Sequence, residues 1–221
     1  MNVLSQEARN ELRQKLLSEI PSWYNPYIHL AVPCTFGILT VIFAIYSIHQ
    51  LKWLELLTIP LAYIFVNGVE WWAHKYLLHK RSPIAPVLYD QHTPRHHMVY
   101  VTEDMAMRHV NEMRLTLIPA YGVMLIVLVS SPLTLLLYYL VSHNVGFIFL
   151  ATVVSYAVSY ELLHLSYHLP LDHPIGKLSI IKKLKHHHAV HHNPRIMQNW
   201  NMNVTVPLWD FILGTIWKEQ K

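Results

Sequence analysis

Of the 17 histidines in this 221-residue chain, ten fall into four tight clusters. Two clusters are pairs, His74 with His79 and His164 with His168. Two are triplets, His92, His96 and His97, then His188, His191 and His192. Imidazole is a good ligand for iron, zinc, copper and nickel. Ten imidazoles exceed what one ion takes and suffice for two, so the pattern predicts a two-metal, all-histidine site. Residues four apart share a helix face, which fits His164 with His168, His92 with His96, and His188 with His192. The adjacent histidine of each triplet is turned away by about 100°, so one triplet can serve two neighbouring ions. His74 and His79 are five apart and would splay by about 140° on a regular helix. Their spacing predicts a helix end, a bulge, or ligation of different ions. His187 is an alternative to His188, because it would give the last triplet the H-x3-HH spacing of the first.

A ligating histidine usually has its other ring nitrogen held by a carboxylate or a carbonyl. Glu70, four residues before His74, and Glu161, three before His164, are placed for that role; Asp90 and Asp210 are weaker candidates. No separate catalytic residue is assigned, since the chemistry would belong to the metals. Histidines 29, 49 and 143 read as interface residues at helix ends, and His109 and His173 as surface groups. Trp71 and Trp72 stand where an aromatic belt is expected. Asn203-Val204-Thr205 forms a glycosylation sequon that a cytosolic position would leave unused.

Positioning these residues requires long apolar elements. The chain is 53% hydrophobic and 14% charged, well below the charge of an ordinary soluble domain. Runs near 29–48, 54–73, 115–141 and 146–164 approach or exceed the roughly 20 residues that cross a bilayer. Ser130-Ser131-Pro132 in the third predicts either a kink or a break. With four crossings, sixteen of the seventeen Lys and Arg fall on one side and only Lys52 on the other, which marks the crowded side as cytosolic. The expected fold is therefore an all-α integral membrane protein: four transmembrane helices and a cytosolic helical cap, 74–114 and 165–221, carrying the di-metal site. Both termini are expected in the cytosol, and a bacterial inner membrane or the endoplasmic reticulum fits equally. Segment 1–28 holds a helical stripe of Leu4, Ala8, Leu12, Leu16 and Ile20, either lying along the membrane or packed on the cap. No cleaved signal is expected, and the last four residues match no retrieval address. Cys34 is alone, so no internal disulfide forms. Basic residues do not interleave with aromatics, which speaks against nucleic-acid binding.

Three other classes fit less well. A metal transporter needs polar ligands partway across the bilayer, whereas these helix centres are apolar. A haem carrier needs two or four histidines. A zinc-stabilised, non-catalytic cap is the hardest to separate, since zinc also takes imidazole.

From about His74 to Trp217 the chain resembles the fatty acid hydroxylase/sterol desaturase superfamily. The most specific stretch is His187–Thr215, where the last triplet precedes the pattern N-V-T-x-P-L-x-D-x-x-x-G-T. The family's pairs and triplets are matched in order by His74, His79, His92, His96, His97, His164, His168, His188, His191 and His192. The resemblance implies two bound iron ions, replaceable by zinc in purified protein. It also implies oxygen-dependent attack on a C–H bond of a membrane lipid, a fatty acyl chain or a sterol-like molecule, giving hydroxylation or, alternatively, desaturation. One departure is the first triplet, where some 2-hydroxylases of the group have H-x2-HH. The chain has no G-x-G-x-x-G and no b5-type cytochrome segment, so an external electron donor is implied: a b5-type cytochrome, a ferredoxin or a reductase.

Overall fold

The structure is a computed structural model that describes residues 4–170 and 172–218; residues 1–3, 171 and 219–221, including the end of the C-terminal tail, lie outside the described residues. The chain is all-helical, and among the described residues the only β-type pairing is an isolated bridge between Val101 and Asp104. In order, the α-helices are α1 (Gln6–Ser18), α2 (Pro26–Tyr46), α3 (Thr58–Ala73), α4 (Pro86–Gln91), α5 (His97–Val99), α6 (Met113–Thr116), α7 (Gly122–Leu140), α8 (His143–His168), α9 (Ser179–His191) and α10 (Leu208–Ile212). Two π turns, His74–Leu78 and His92–His96, interrupt the α-helical winding.

Four segments are long and apolar enough to cross a membrane: Pro26–Tyr46, Trp53–Leu78, Gly122–Leu140 and His143–His168. The chain divides into two compact units, one of residues 27–66 and 118–162, the other of 1–26, 67–117 and 163–221.

The first unit contains most of the apolar helix surface. Ile38, Leu39, Phe43, Leu128, Val129 and Leu136 are all exposed, as expected where lipid tails replace water. Lipid gives helices no hydrophobic reason to associate, so close packing must hold them. Phe149, Val153 and Ala62 form one buried cluster, and Val123, Val154 and Ala157 another. A Cβ on Gly37 would overlap the Val158 side chain, so glycine is what lets α2 approach α8. The turns between helices are tied by a polar knot: the Glu55 carboxylate accepts from Ser142 Oγ at 2.6 Å and Asn144 Nδ2 at 2.8 Å, and Asn144 Nδ2 also donates to the His49 carbonyl at 2.8 Å.

The third apolar run neither breaks nor begins where its composition suggests. Residues 117–121 lie outside helix, and α7 starts at Gly122 and runs unbroken through Pro132. Proline cannot donate to the carbonyl four residues back. That carbonyl belongs to Leu128, and the Ser131 hydroxyl donates to it at 2.7 Å. The neighbouring serine thus supplies the hydrogen bond that the proline removes, which is how a Ser-Pro step stays helical inside a membrane span.

The second unit holds every clustered histidine. Helix α1 packs there rather than lying free. Leu16 of its apolar stripe is buried, and so is Arg13, which lies off the stripe and is 4% exposed. Arg13 Nη1 lies 2.6 Å from Glu112 Oε2, and Nη2 lies 3.3 Å from Asp104 Oδ2.

Candidate metal centre

The ten clustered histidines converge into two groups of five. His74, His79, His92, His97 and His191 form one; His96, His164, His168, His188 and His192 form the other. Within each group the candidate ligand nitrogens all lie within 4.8 Å of one another, and all ten rings are buried. The groups adjoin: the rings of His97 and His192 stack at a centroid distance of 4.1 Å.

The two π turns decide which histidine joins which group. A π turn closes on the fifth residue, and single turns of this kind inside α-helices are common at functional sites. At the end of α3 the His79 amide bonds to the His74 carbonyl at 3.1 Å, and the two rings stack at 4.9 Å. The five-residue spacing is therefore accommodated by a bulge, and both residues serve one group. The first triplet departs from the α-helical expectation. His97, not His96, shares a group with His92, because the His97 amide bonds back to His92 across the second π turn. Pro94 lies inside that turn and lacks the amide that an α-helix would use there, and its ring crowds the carbonyl four residues back. The last triplet stays α-helical, so His188 pairs with His192 and His191 turns to the other group. His188, not His187, occupies the cluster; His187 Nε2 lies 3.2 Å from Asp210 Oδ2 instead.

Backbone carbonyls hold the outer nitrogens of six of the ten rings, whereas, among the described residues, Nδ1 of His97 and of His188 is buried without a hydrogen-bond partner. His74 Nδ1 faces the Met202 carbonyl, His96 that of Leu115, His168 that of Met105, His191 that of Trp200 and His192 that of Tyr100; His164 bonds to Thr116. His79 Nδ1 lies 3.3 Å from Thr93 Oγ1, which itself donates to the Leu78 carbonyl at 2.6 Å. A ring donating from Nδ1 presents a lone pair on Nε2, the form a metal binds.

The carboxylates expected at the rings hold backbone amides and other side chains. Glu70 accepts from the amides of Val204 and Thr205 and from Thr205 Oγ1. It thereby steadies the loop that carries the Met202 carbonyl. Glu161 accepts from the Ile118 amide at 3.1 Å. Asp90 forms an exposed bidentate pair with Arg81. Asp210 is fully buried and accepts from the amides of Met202 and Asn203, from Thr215 Oγ1 and from Trp71 Nε1. Burial would raise its pKa, but hydrogen bonds from His187, Thr215 and those two amides hold it below the usual aspartate value. The aromatic belt expected at 71–72 is half present. Trp71 is buried on Asp210, whereas Trp72 is 51% exposed. Asn203 of the sequon is also buried, with Nδ2 on the Asn67 carbonyl.

Several residues that spacing does not reveal matter here. Asn67 bonds Thr205, Val206 and Trp209, and a Cβ on Gly68 would meet the Trp209 indole. One turn of α3 therefore grips the C-terminal loop through Asn67, Gly68, Glu70 and Trp71. Asn201, in the left-handed region at φ 56, separates the two carbonyls that face His191 and His74; asparagine tolerates that conformation better than most residues.

Would these groups fit metal ions? Burial holds His79, His92, His97, His188, His191 and His192 well below the ordinary histidine range, and takes His96 to about 3. These seven imidazoles are thus neutral at pH 7, as ligation requires. Nε2 atoms stand 2.9 Å apart between His74 and His92 and between His92 and His97, and 3.0 Å apart between His188 and His192. At about 2.0–2.1 Å from a divalent ion, ligand nitrogens at right angles stand about 3 Å apart and opposite ones about 4 Å. His168 Nε2 is buried without a partner and belongs to the second group. An all-imidazole donor set of this spacing fits a first-row transition ion in each group.

Known proteins offer a consistent picture. The fold is similar to a solved structure described as full-length Scs7p with only its hydroxylase domain visible, at TM-score 0.56 and 18% identity over 86% of this chain and 67% of that one. That likeness is one of fold. No curated protein matches the chain significantly. A family model described as fatty acid hydroxylase matches residues 59–215, a span that includes both π turns, all ten clustered histidines and the loop that orients His74 and His191. The chain is a membrane protein of the fatty acid hydroxylase family.

Proposed function

We propose that the chain is an oxygen-dependent di-iron lipid hydroxylase, acting on an unactivated C–H bond of a fatty acyl chain or sterol-like lipid. The observation that carries this reading is the pair of buried five-histidine groups. A structural zinc site takes four ligands; five buried imidazoles in each group favour a redox-active ion over a zinc-stabilised cap. His74, His79, His92, His97 and His191 would hold one ion, and His96, His164, His168, His188 and His192 the other. A bound iron pair supplies the electron-transfer chemistry needed to use dioxygen against a C–H bond.

The protein's own share is positional. Carbonyls fix the tautomers and orientations of six of the ten rings. Burial keeps the imidazoles neutral, and the helices around them exclude water from the reactive centre. We place the histidine-bearing segments 74–114 and 165–221 in a cytosolic cap, because nearly all the Lys and Arg accompany them. The lipid would enter from the bilayer. Electrons would come from a separate carrier, a b5-type cytochrome, a ferredoxin or a reductase.

Protein purified without oxygen from iron-fed cells should contain two iron atoms per chain with a Mössbauer signature of ferrous ions in nitrogen ligation. Cells making it should accumulate a lipid heavier by one oxygen, absent with the His191→Ala variant. Tightly held zinc, no oxygen uptake under reduction and no change in any lipid class would refute the assignment.

A further inference from the structure

The carbonyls that orient the histidines come from two separate stretches of chain, and each stretch serves one group only. Residues 200–205 present the carbonyls of Trp200 and Met202 to His191 and His74, both of the first group. Residues 100–116 present those of Tyr100, Met105, Leu115 and Thr116 to His192, His168, His96 and His164, all of the second group.

Each stretch is fastened by its own buried carboxylate. Asp210 accepts from the Met202 amide at 2.9 Å and the Asn203 amide at 2.7 Å. Glu112 accepts from Tyr100 Oη at 2.8 Å, the Arg108 amide at 3.1 Å and Arg13 Nη1 at 2.6 Å. Both acids are fully buried, and neither belongs to a histidine group.

We propose that the two metal positions are set independently by these two carbonyl straps, with Asp210 the positioning residue for one and Glu112 for the other, so that either position can be emptied while its neighbour stays filled. This rests on the two-metal reading above. The physical basis is that a ligating ring is only as well aimed as the group behind it. Asparagine at 210 would turn a donor toward the Met202 or Asn203 amide. The loop would shift, and with it the carbonyls behind His74 and His191. The carbonyls behind His96, His164, His168 and His192 lie outside that loop.

The test counts iron per chain in the full-length protein in detergent, loaded anaerobically with limiting ferrous ion. The wild type should hold two ions. Asp210→Asn and Glu112→Gln should each fall to one. Pairing with ligand removals then identifies which position is lost. Asp210→Asn should add nothing to His191→Ala, but should empty the protein when combined with His168→Ala. Glu112→Gln should show the reverse pattern. Milder substitutions, Glu70→Gln behind the first strap and Arg13→Lys behind the second, should show the same split as weakened retention during dialysis, and they keep the comparison open if the stronger variants do not fold. General structural damage would instead lower both ions together, and that result overturns the proposal, as does a reversed pairing or full retention in both single variants. A wild type that holds fewer than two ions would sink the two-metal reading, whereas two ions with the wrong pairing would sink only the straps.

Discussion

At the scale of single residues, a histidine here is defined by both of its nitrogens. His191 presents Nε2 to its group, 3.0 Å from His79 Nε2, and rests Nδ1 on the Trp200 carbonyl. Removing the ring in His191→Ala should therefore abolish turnover and cost one ion of the pair; unchanged metal content would show that the residue is not a ligand. Thr93 tests the outer nitrogen. Thr93→Val keeps the shape but removes the hydroxyl beside His79 Nδ1. Loss of such a partner typically costs about 10- to 100-fold in metal affinity, so competition with a chelator should show weakened retention of one ion only. The gathering of the ten histidines is legible in the sequence because imidazoles have few other reasons to cluster at these spacings. Their supports are not. Every residue carries a carbonyl, and only the fold decides that those of Met202 and Leu115 face His74 and His96. The carboxylates mislead for a related reason. Nearness along a helix places Glu161 beside His164 in sequence, yet its oxygens serve the Ile118 amide.

At the scale of elements, the four long helices follow from the four apolar runs, whereas their bounds and local winding do not. Two π turns sort the histidines, and their traces in the sequence are a spacing of five and, in the second turn, Pro94. Helix α1 shows the opposite failure, because a charge that looks solvated is its anchor. Arg13 and Glu112 are 4% and 1% exposed at their side chains. Taking one partner from a buried ion pair typically costs about 3–5 kcal/mol, because the other charge stays buried and alone. Arg13→Met should lower thermal stability in detergent by an amount of that order. An effect under about 1 kcal/mol would mean that α1 is an ornament on the unit rather than part of it. Ser131→Ala, which uncovers the Leu128 carbonyl beside Pro132, should cost about 1 kcal/mol. Chemical denaturation of that variant against wild type measures it directly.

At the scale of the whole molecule, the distribution of charge determines how the chain should lie in a bilayer. A hydrocarbon core near 30 Å admits helices of about 20 residues, and the four apolar segments have 19 to 26. With four crossings, Lys52 is alone on the far side, between the first two spans, against sixteen basic residues on the near side. Short basic loops are retained in the cytosol, so the histidine-bearing segments should be cytosolic and Lys52 external. Both Lys52 and Lys177 are exposed, and Cys34 is the one native thiol. In a Cys34→Ser background, Lys52→Cys should react with a membrane-impermeant maleimide added to intact bacterial cells. Lys177→Cys should react only after the membrane is opened. The reverse pattern would place the histidine groups outside the cell, away from the reduced carriers that an iron-dependent hydroxylase needs, and the proposed chemistry would lose its source of electrons.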